Sequence, residues 1–142
     1  MILGDHVLFD ISPNISDWAE MEDSLGSYLE SLKKIDKYDV KCPLPGHREM
    51  GDFHGRIEEL LEHHEARLKE CMDIIDLCHG ATAYEVTKRL TWHVRAKDWD
   101  SFPMGQKWFA MGECLAHLEH LEKLGRIKRR EQENKVLFEL AF

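Results

Sequence analysis

The chain has 142 residues, 43% hydrophobic and 32% charged, a balance that excludes disordered and fibrous classes and suits a soluble domain of ordinary size. Its formal net charge of −8 sits in front: residues 1–70 hold sixteen acidic against eight basic side chains, and residues 71–142 hold eleven of each. Such a chain repels nucleic-acid phosphates over long range, although a local basic patch can still bind them.

In chain order, Leu3 to Ile11 alternates apolar and β-branched residues (Val7, Phe9, Ile11) between Gly4 and Pro13, which predicts a short strand. Asp23 or Ser24 caps a helix whose Leu25, Tyr28, Leu29, Leu32 and Ile35 share one stripe, ending near Lys37. Val40 to Leu44, interrupted by Pro43, suits a strand end or edge, with Pro45-Gly46-His47 as a tight turn. From about Arg56 to Cys78 the apolar residues keep helical spacing, and Gly80 supplies the stop. Thr82-Ala83-Tyr84-Glu85 is a capping-box pattern that starts a second helix running to about Val94. A polar connection from Arg95 to Pro103 follows. Phe109, Met111, Cys114, Leu115, Leu118, Leu121 and Leu124 mark a third helix stopped by Gly125. Arg126 to Glu131 and Lys135 to Phe142 form a hairpin around Gln132-Glu133-Asn134. The expected class is α+β, mainly helical, and residues 56–142 have the layout of a winged helix: three helices, then a β-hairpin.

No apolar run approaches the roughly 18 residues that a membrane helix needs. The first six residues lack the basic and apolar regions of an export signal, so a cytoplasmic chain with no membrane partner is expected. Cys42, Cys71, Cys78 and Cys114 form no Cys-x-x-Cys pair, and reduced thiols are expected.

Gly4-Asp5-His6 and Leu44-Pro45-Gly46-His47 each place metal-competent side chains at the end of an extended segment. Carboxylate and imidazole both suit zinc, and loops after strands can converge on one ion. By spacing alone the signal is weak, and an exposed turn aspartate with a surface histidine is the favoured reading. Glu113, His117 and His120 lie at i, i+4 and i+7, a spacing compatible with a metal, but they flank the leucine stripe and are expected to form a solvated shoulder. His63 and His64 are adjacent on a helix and point apart. Cys71 and Cys78 belong to an apolar face. Trp92, Trp99, Trp108 and Phe102 either line a ligand slot or cover the third helix.

A basic group, Arg126, Lys128, Arg129, Arg130 and Lys135, decorates the hairpin. It is the candidate nucleic-acid surface. In DNA-binding winged helices the third helix enters the major groove, and here that helix carries Lys107 and Lys123 against Glu113, Glu119 and Glu122. That balance opposes the nucleic-acid reading.

The segments Gly4-Asp5-His6-Val7-Leu8, Ile11-Ser12-Pro13-Asn14-Ile15, Leu44-Pro45-Gly46-His47 and Arg56-Ile57-Glu58-Glu59-Leu60-Leu61 together resemble the C-terminal half of a metallo-β-lactamase-fold hydrolase. Ala81 to Val86, Leu115 to Leu121 and Gly125-Arg126-Ile127 resemble the winged-helix domain appended to one branch of that superfamily. The resemblance implies a remnant of the α/β domain at 1–55 and a winged helix at 56–142. It implies that Asp5 matches the aspartate bridging two zinc ions in the intact enzyme and that His47 matches the last metal-binding histidine. The family's His-x-His-x-Asp-His cluster occurs nowhere in the sequence, and Arg48 stands where the family often has glycine. Two ligands do not hold catalytic zinc tightly. The chain alone is therefore expected to contribute no catalytic residue and no hydrolysis. Its natural partner is the missing N-terminal catalytic half, and uncovered strand edges favour a homo-oligomer.

Overall fold

In the computed structural model, which describes residues 1–142, four helices make the body and two small sheets attach to it. The order is β1 (Ile2–Gly4), α1 (Ser24–Ile35), β2 (Leu44–Pro45), α2 (Phe53–Cys78), α3 (Ala83–Arg89), α4 (Met104–Lys123), β3 (Ile127–Gln132) and β4 (Lys135–Leu140). The class is mainly helical α+β.

Local chemistry sets most boundaries. Asp23 caps α1 by accepting a hydrogen bond from the Gly26 N–H at 2.8 Å, which satisfies one of the orphan donors of the first turn. Thr82 and Glu85 form the capping box of α3: Glu85 N–H donates to Thr82 Oγ1 at 3.2 Å, and Thr82 N–H donates to Glu85 Oε2 at 2.8 Å. α2 begins at Phe53, three residues before the apolar pattern begins at Arg56, because Phe53 is itself buried. It ends where His79 (φ 52) and Gly80 (φ 107) both turn left-handed.

Two expectations are corrected. α3 stops at Arg89 rather than near Val94. Side chains of α2 capture the next backbone groups: Arg67 donates to Thr91 O at 2.6 Å, and Thr91 N–H donates to Glu70 Oε1 at 2.7 Å. The strand expected over Leu3 to Ile11 is only Ile2–Gly4. Gly4 (φ 55) turns the chain there, and Val7 and Leu8 are then buried consecutively instead of alternating. The free Leu8 carbonyl accepts from Arg56 Nε at 2.7 Å.

β1 and β2 are parallel, pairing Ile2 with Leu44 and Gly4 with Pro45. β3 and β4 are antiparallel from Ile127–Leu140 to Gln132–Lys135. Their turn is two residues, Glu133 and Asn134, with φ 50 and 62, the sign that right-twisted hairpins favour. Phe138 also bonds back to Ala81 through both backbone groups, at 3.0 and 2.8 Å. This ties the α2–α3 connection to the hairpin. One cluster of 21 buried residues runs from Leu3 and Val7 through α1, α2 and α4 to Ile127 and Phe138, so residues on both sides of the 55/56 junction share a core.

Candidate functional site

Because β1 and β2 run parallel, the residues that leave them emerge side by side. His47 Nε2 lies 3.3 Å from Asp5 Oδ1, and both side chains are about two thirds exposed, at 66% and 65%. Gly46 makes the approach possible: a Cβ there would sit 2.6 Å from Asp5 Oδ1 and 3.0 Å from the Gly4 carbonyl carbon. Gly46 N–H donates to Gly4 O at 2.6 Å, which locks the two loops together. Arg48 follows with φ 64, so the chain turns sharply away after His47.

One carboxylate and one imidazole are thus brought together across 42 residues of sequence. Catalytic zinc takes three protein ligands and an open position, and nowhere in the chain do three or more His, Cys, Asp or Glu side chains converge to hold a metal ion. The pair fits a share of a coordination shell and does not fit a resident zinc held by this chain alone.

The histidines of α4 take a different place from the solvated shoulder that their spacing allows. His117 is fully buried, with 0% exposure, and so is His64 opposite it, at 1%. His64 Nδ1 and His117 Nε2 are 3.1 Å apart, and His117 Nδ1 donates to Glu113 O at 2.7 Å. His120 turns to the α1 cap, with Nδ1 2.9 Å from Asp23 Oδ2. The Glu113 carboxylate faces Arg67 Nε at 3.8 Å. The Glu113, His117 and His120 side chains therefore reach three separate partners and make no joint site. Burial pushes the Glu113 carboxyl above its ordinary range, against the opposing pull of Arg67. α4 meets α1 and α2 together, which buries a wider face than the leucine stripe alone. That is a non-local fact, and no signal in the single sequence carries it.

The basic hairpin is largely neutralised. Arg129 Nε lies 2.6 Å from Glu122, Arg130 bonds Glu139 at 2.6 Å and Gln132 at 2.7 Å, and Arg126 comes within 4.0 Å of Glu65. Only Lys128 and Lys135 of the five stand exposed outside these ion pairs. The tryptophans do not line one slot. Trp92 lies under the Arg67 guanidinium at 4.6 Å and donates to Thr87 O, whereas Trp99 packs on Phe102 and donates to Tyr84. Trp108 is exposed. All four cysteines are free thiols, with Cys71 and Cys114 in the core. No helix is long and apolar enough to cross a membrane.

Residues 71–139 match the family model described as metallo-beta-lactamase-like, C-terminal domain. Over 97% of its length the chain is similar to a metallo-beta-lactamase family protein from Thermus thermophilus, with 31% identity and a TM-score of 0.76. Over 99% of its length it is similar to a beta-lactamase domain protein from Burkholderia ambifaria, with 28% identity and a TM-score of 0.80. The chain spans 41% of the length of each. No curated protein matches it. Residues 71–139 are thus similar to a metallo-beta-lactamase-like C-terminal domain, and over nearly its whole length the chain shares its fold with part of these two proteins.

Proposed function

We propose that this chain is the C-terminal portion of a metal-dependent hydrolase of the metallo-β-lactamase superfamily and hydrolyses nothing by itself. The observation that carries the reading is the approach of Asp5 to His47 across the ends of two parallel strands. In the intact enzyme Asp5 would bridge two zinc ions and His47 would ligate one of them, with the remaining donors supplied by a preceding half of the fold. Zinc there would supply a nucleophile from bound water at neutral pH. Residues 1–55 are then a remnant of the α/β domain, and residues 56–142 are an accessory winged helix. The order α2, Ala81 bridge, α3, α4 and hairpin supports that second assignment. The winged helix packs against the catalytic half and helps shape the mouth of its active site.

The test is the coding sequence upstream of Met1 and the metal content of the longer product. A His-x-His-x-Asp-His motif there is expected, together with two zinc ions per chain that Asp5→Asn and His47→Ala each reduce. Unchanged zinc in both variants, or no such motif, sinks the reading.

A further inference from the structure

Between α1 and the irregular segment 14–21 lies a cleft of about 320 Å³, with His6 at one end. The segment is fastened to α4 rather than to α1. Asp17 N–H donates to Gly112 O at 3.2 Å, Asn14 Nδ2 donates to Phe109 O at 3.4 Å, and a Cβ on Gly112 would lie 2.8 Å from Ser16 Oγ. Held in that way, it stands off α1 and leaves the cleft open.

The segment's wall offers the apolar side chains Ile15, Trp18 and Met21 beside Asn14 and Ser16, and the α1 wall carries Ser24, Ser27, Tyr28 and Ser31. No Asp, Glu, Lys or Arg lines the cleft. Two polar atoms of the lining residues have no partner: Ser24 Oγ and His6 Nε2 are both buried and unbonded, and Ser24 is only 6% exposed. Native folds rarely leave such atoms unpaired. Two of the neighbouring polar groups are already committed, while Ser27 and Ser31 also line the cleft. Tyr28 donates to His6 O at 3.0 Å, and Ser16 donates to Asn14 Oδ1 at 2.7 Å.

We propose that this cleft binds a small uncharged molecule with an apolar body and one carbonyl or hydroxyl group. The body lies against Trp18 and Met21. The polar group meets Ser24 Oγ, which reaches the cleft by rotation about χ1. Burial holds the Tyr28 phenol well above its ordinary pKa, so it stays neutral and adds no charge to the wall. A charged ligand would lose its hydration with no counter-charge to replace it. Neither Asp5 nor His47 takes part, so this site and the hydrolase reading stand or fall separately.

Acetanilide, a neutral aromatic amide, is the probe, titrated into the purified chain and followed by the NMR signals of the Trp18 indole and the His6 ring. Saturable shifts are expected with a dissociation constant of about 1 mM, fitting so small a ligand. Benzoate, of similar size but charged, is expected to bind at least about tenfold more weakly. Ser24→Ala is expected to weaken acetanilide about three- to tenfold while the unfolding temperature holds or rises, because an unpaired buried hydroxyl is removed. Ser27→Trp, at an exposed position on the same wall, is expected to fill the cleft and abolish the shifts with the circular dichroism unchanged. No saturation up to about 10 mM, equal binding of benzoate, or unaltered acetanilide binding in both variants overturns the proposal.

Discussion

His64 of α2 and His117 of α4 share one hydrogen bond of 3.1 Å inside the core. Since His117 Nδ1 donates to the Glu113 carbonyl, its Nε2 is the acceptor, and His64 Nδ1 carries the proton between the rings. His64 Nε2 is left buried without a partner. The bond between the rings is lost when both imidazoles are protonated, and burial disfavours a charge on either.

That cost of charge predicts acid sensitivity. Burial, the largest cause for each ring, holds His64 down to about 3 and His117 down to about 4. Arg67 and His63 on α2, with His120 on α4, add like charge, and no carboxylate answers His64. An unfolded histidine titrates near 6.5, so between that value and the folded pKa the unfolded chain binds more protons. Stability is therefore present above about pH 6.5 and lost as pH falls toward 4, by about 1.4 kcal/mol per pH unit for each ring. Urea unfolding at pH 7.5 and pH 5 should show the fall. His117→Phe, which leaves one titrating ring, should flatten it. Equal stability at both pH values would remove the pair from the account.

The α3 cap gives a smaller and more local effect. Thr82→Ala removes the acceptor of the Glu85 N–H and one side of the reciprocal pair, and cap loss of this type costs about 1 kcal/mol. Chemical denaturation should register that loss, and Thr82→Ser should restore most of it. A neutral Thr82→Ala would mean that the two backbone bonds between Ala81 and Phe138 hold this end of α3 without its cap.

The hairpin predicts weak nucleic-acid affinity. Glu122 and Glu139 hold Arg129 and Arg130, and the fields of such pairs cancel beyond a Debye length of about 10 Å at 0.1 M salt. Labelled RNA or DNA should show no anisotropy change in about 50 mM salt. Binding there that weakens steeply by about 200 mM would revive the nucleic-acid reading of Arg126, Lys128, Arg129, Arg130 and Lys135.

What the sequence made legible was local. The Asp23 cap, the Thr82 to Glu85 box and the hairpin each depend on residues within a few positions of one another, and each lies close to where its pattern put it. Longer-range facts escaped. The alternation over Leu3 to Ile11 mimicked a strand although Gly4 turns the chain and Val7 with Leu8 enter the core together. His117 sits one position from the leucine stripe, and only the simultaneous docking of α4 on α1 and α2 decides that it is buried. For Asp5 and His47 the placement at the ends of two extended segments is only a weak signal, and the family resemblance is what singles the pair out.

That meeting depends on Gly46. A methyl group there would overlap the Asp5 carboxylate at 2.6 Å and press on the Gly4 backbone at 3.0 and 3.2 Å. The carboxylate can swing away, but the backbone of β1 can only move apart from β2. Gly46→Ala is therefore expected to stretch the Gly46 N–H to Gly4 O bond and to destabilise the chain by about 1–3 kcal/mol, the usual range for overpacking. The geometry has its own readout: with Gly46 present, Asp5→Asn should shift the His47 ring signals in an NMR spectrum, because the groups lie 3.3 Å apart. In the Gly46→Ala background the same change should leave those signals nearly still. A His47 ring that responds equally to Asp5→Asn in both backgrounds would mean that the loops approach without help from the missing side chain.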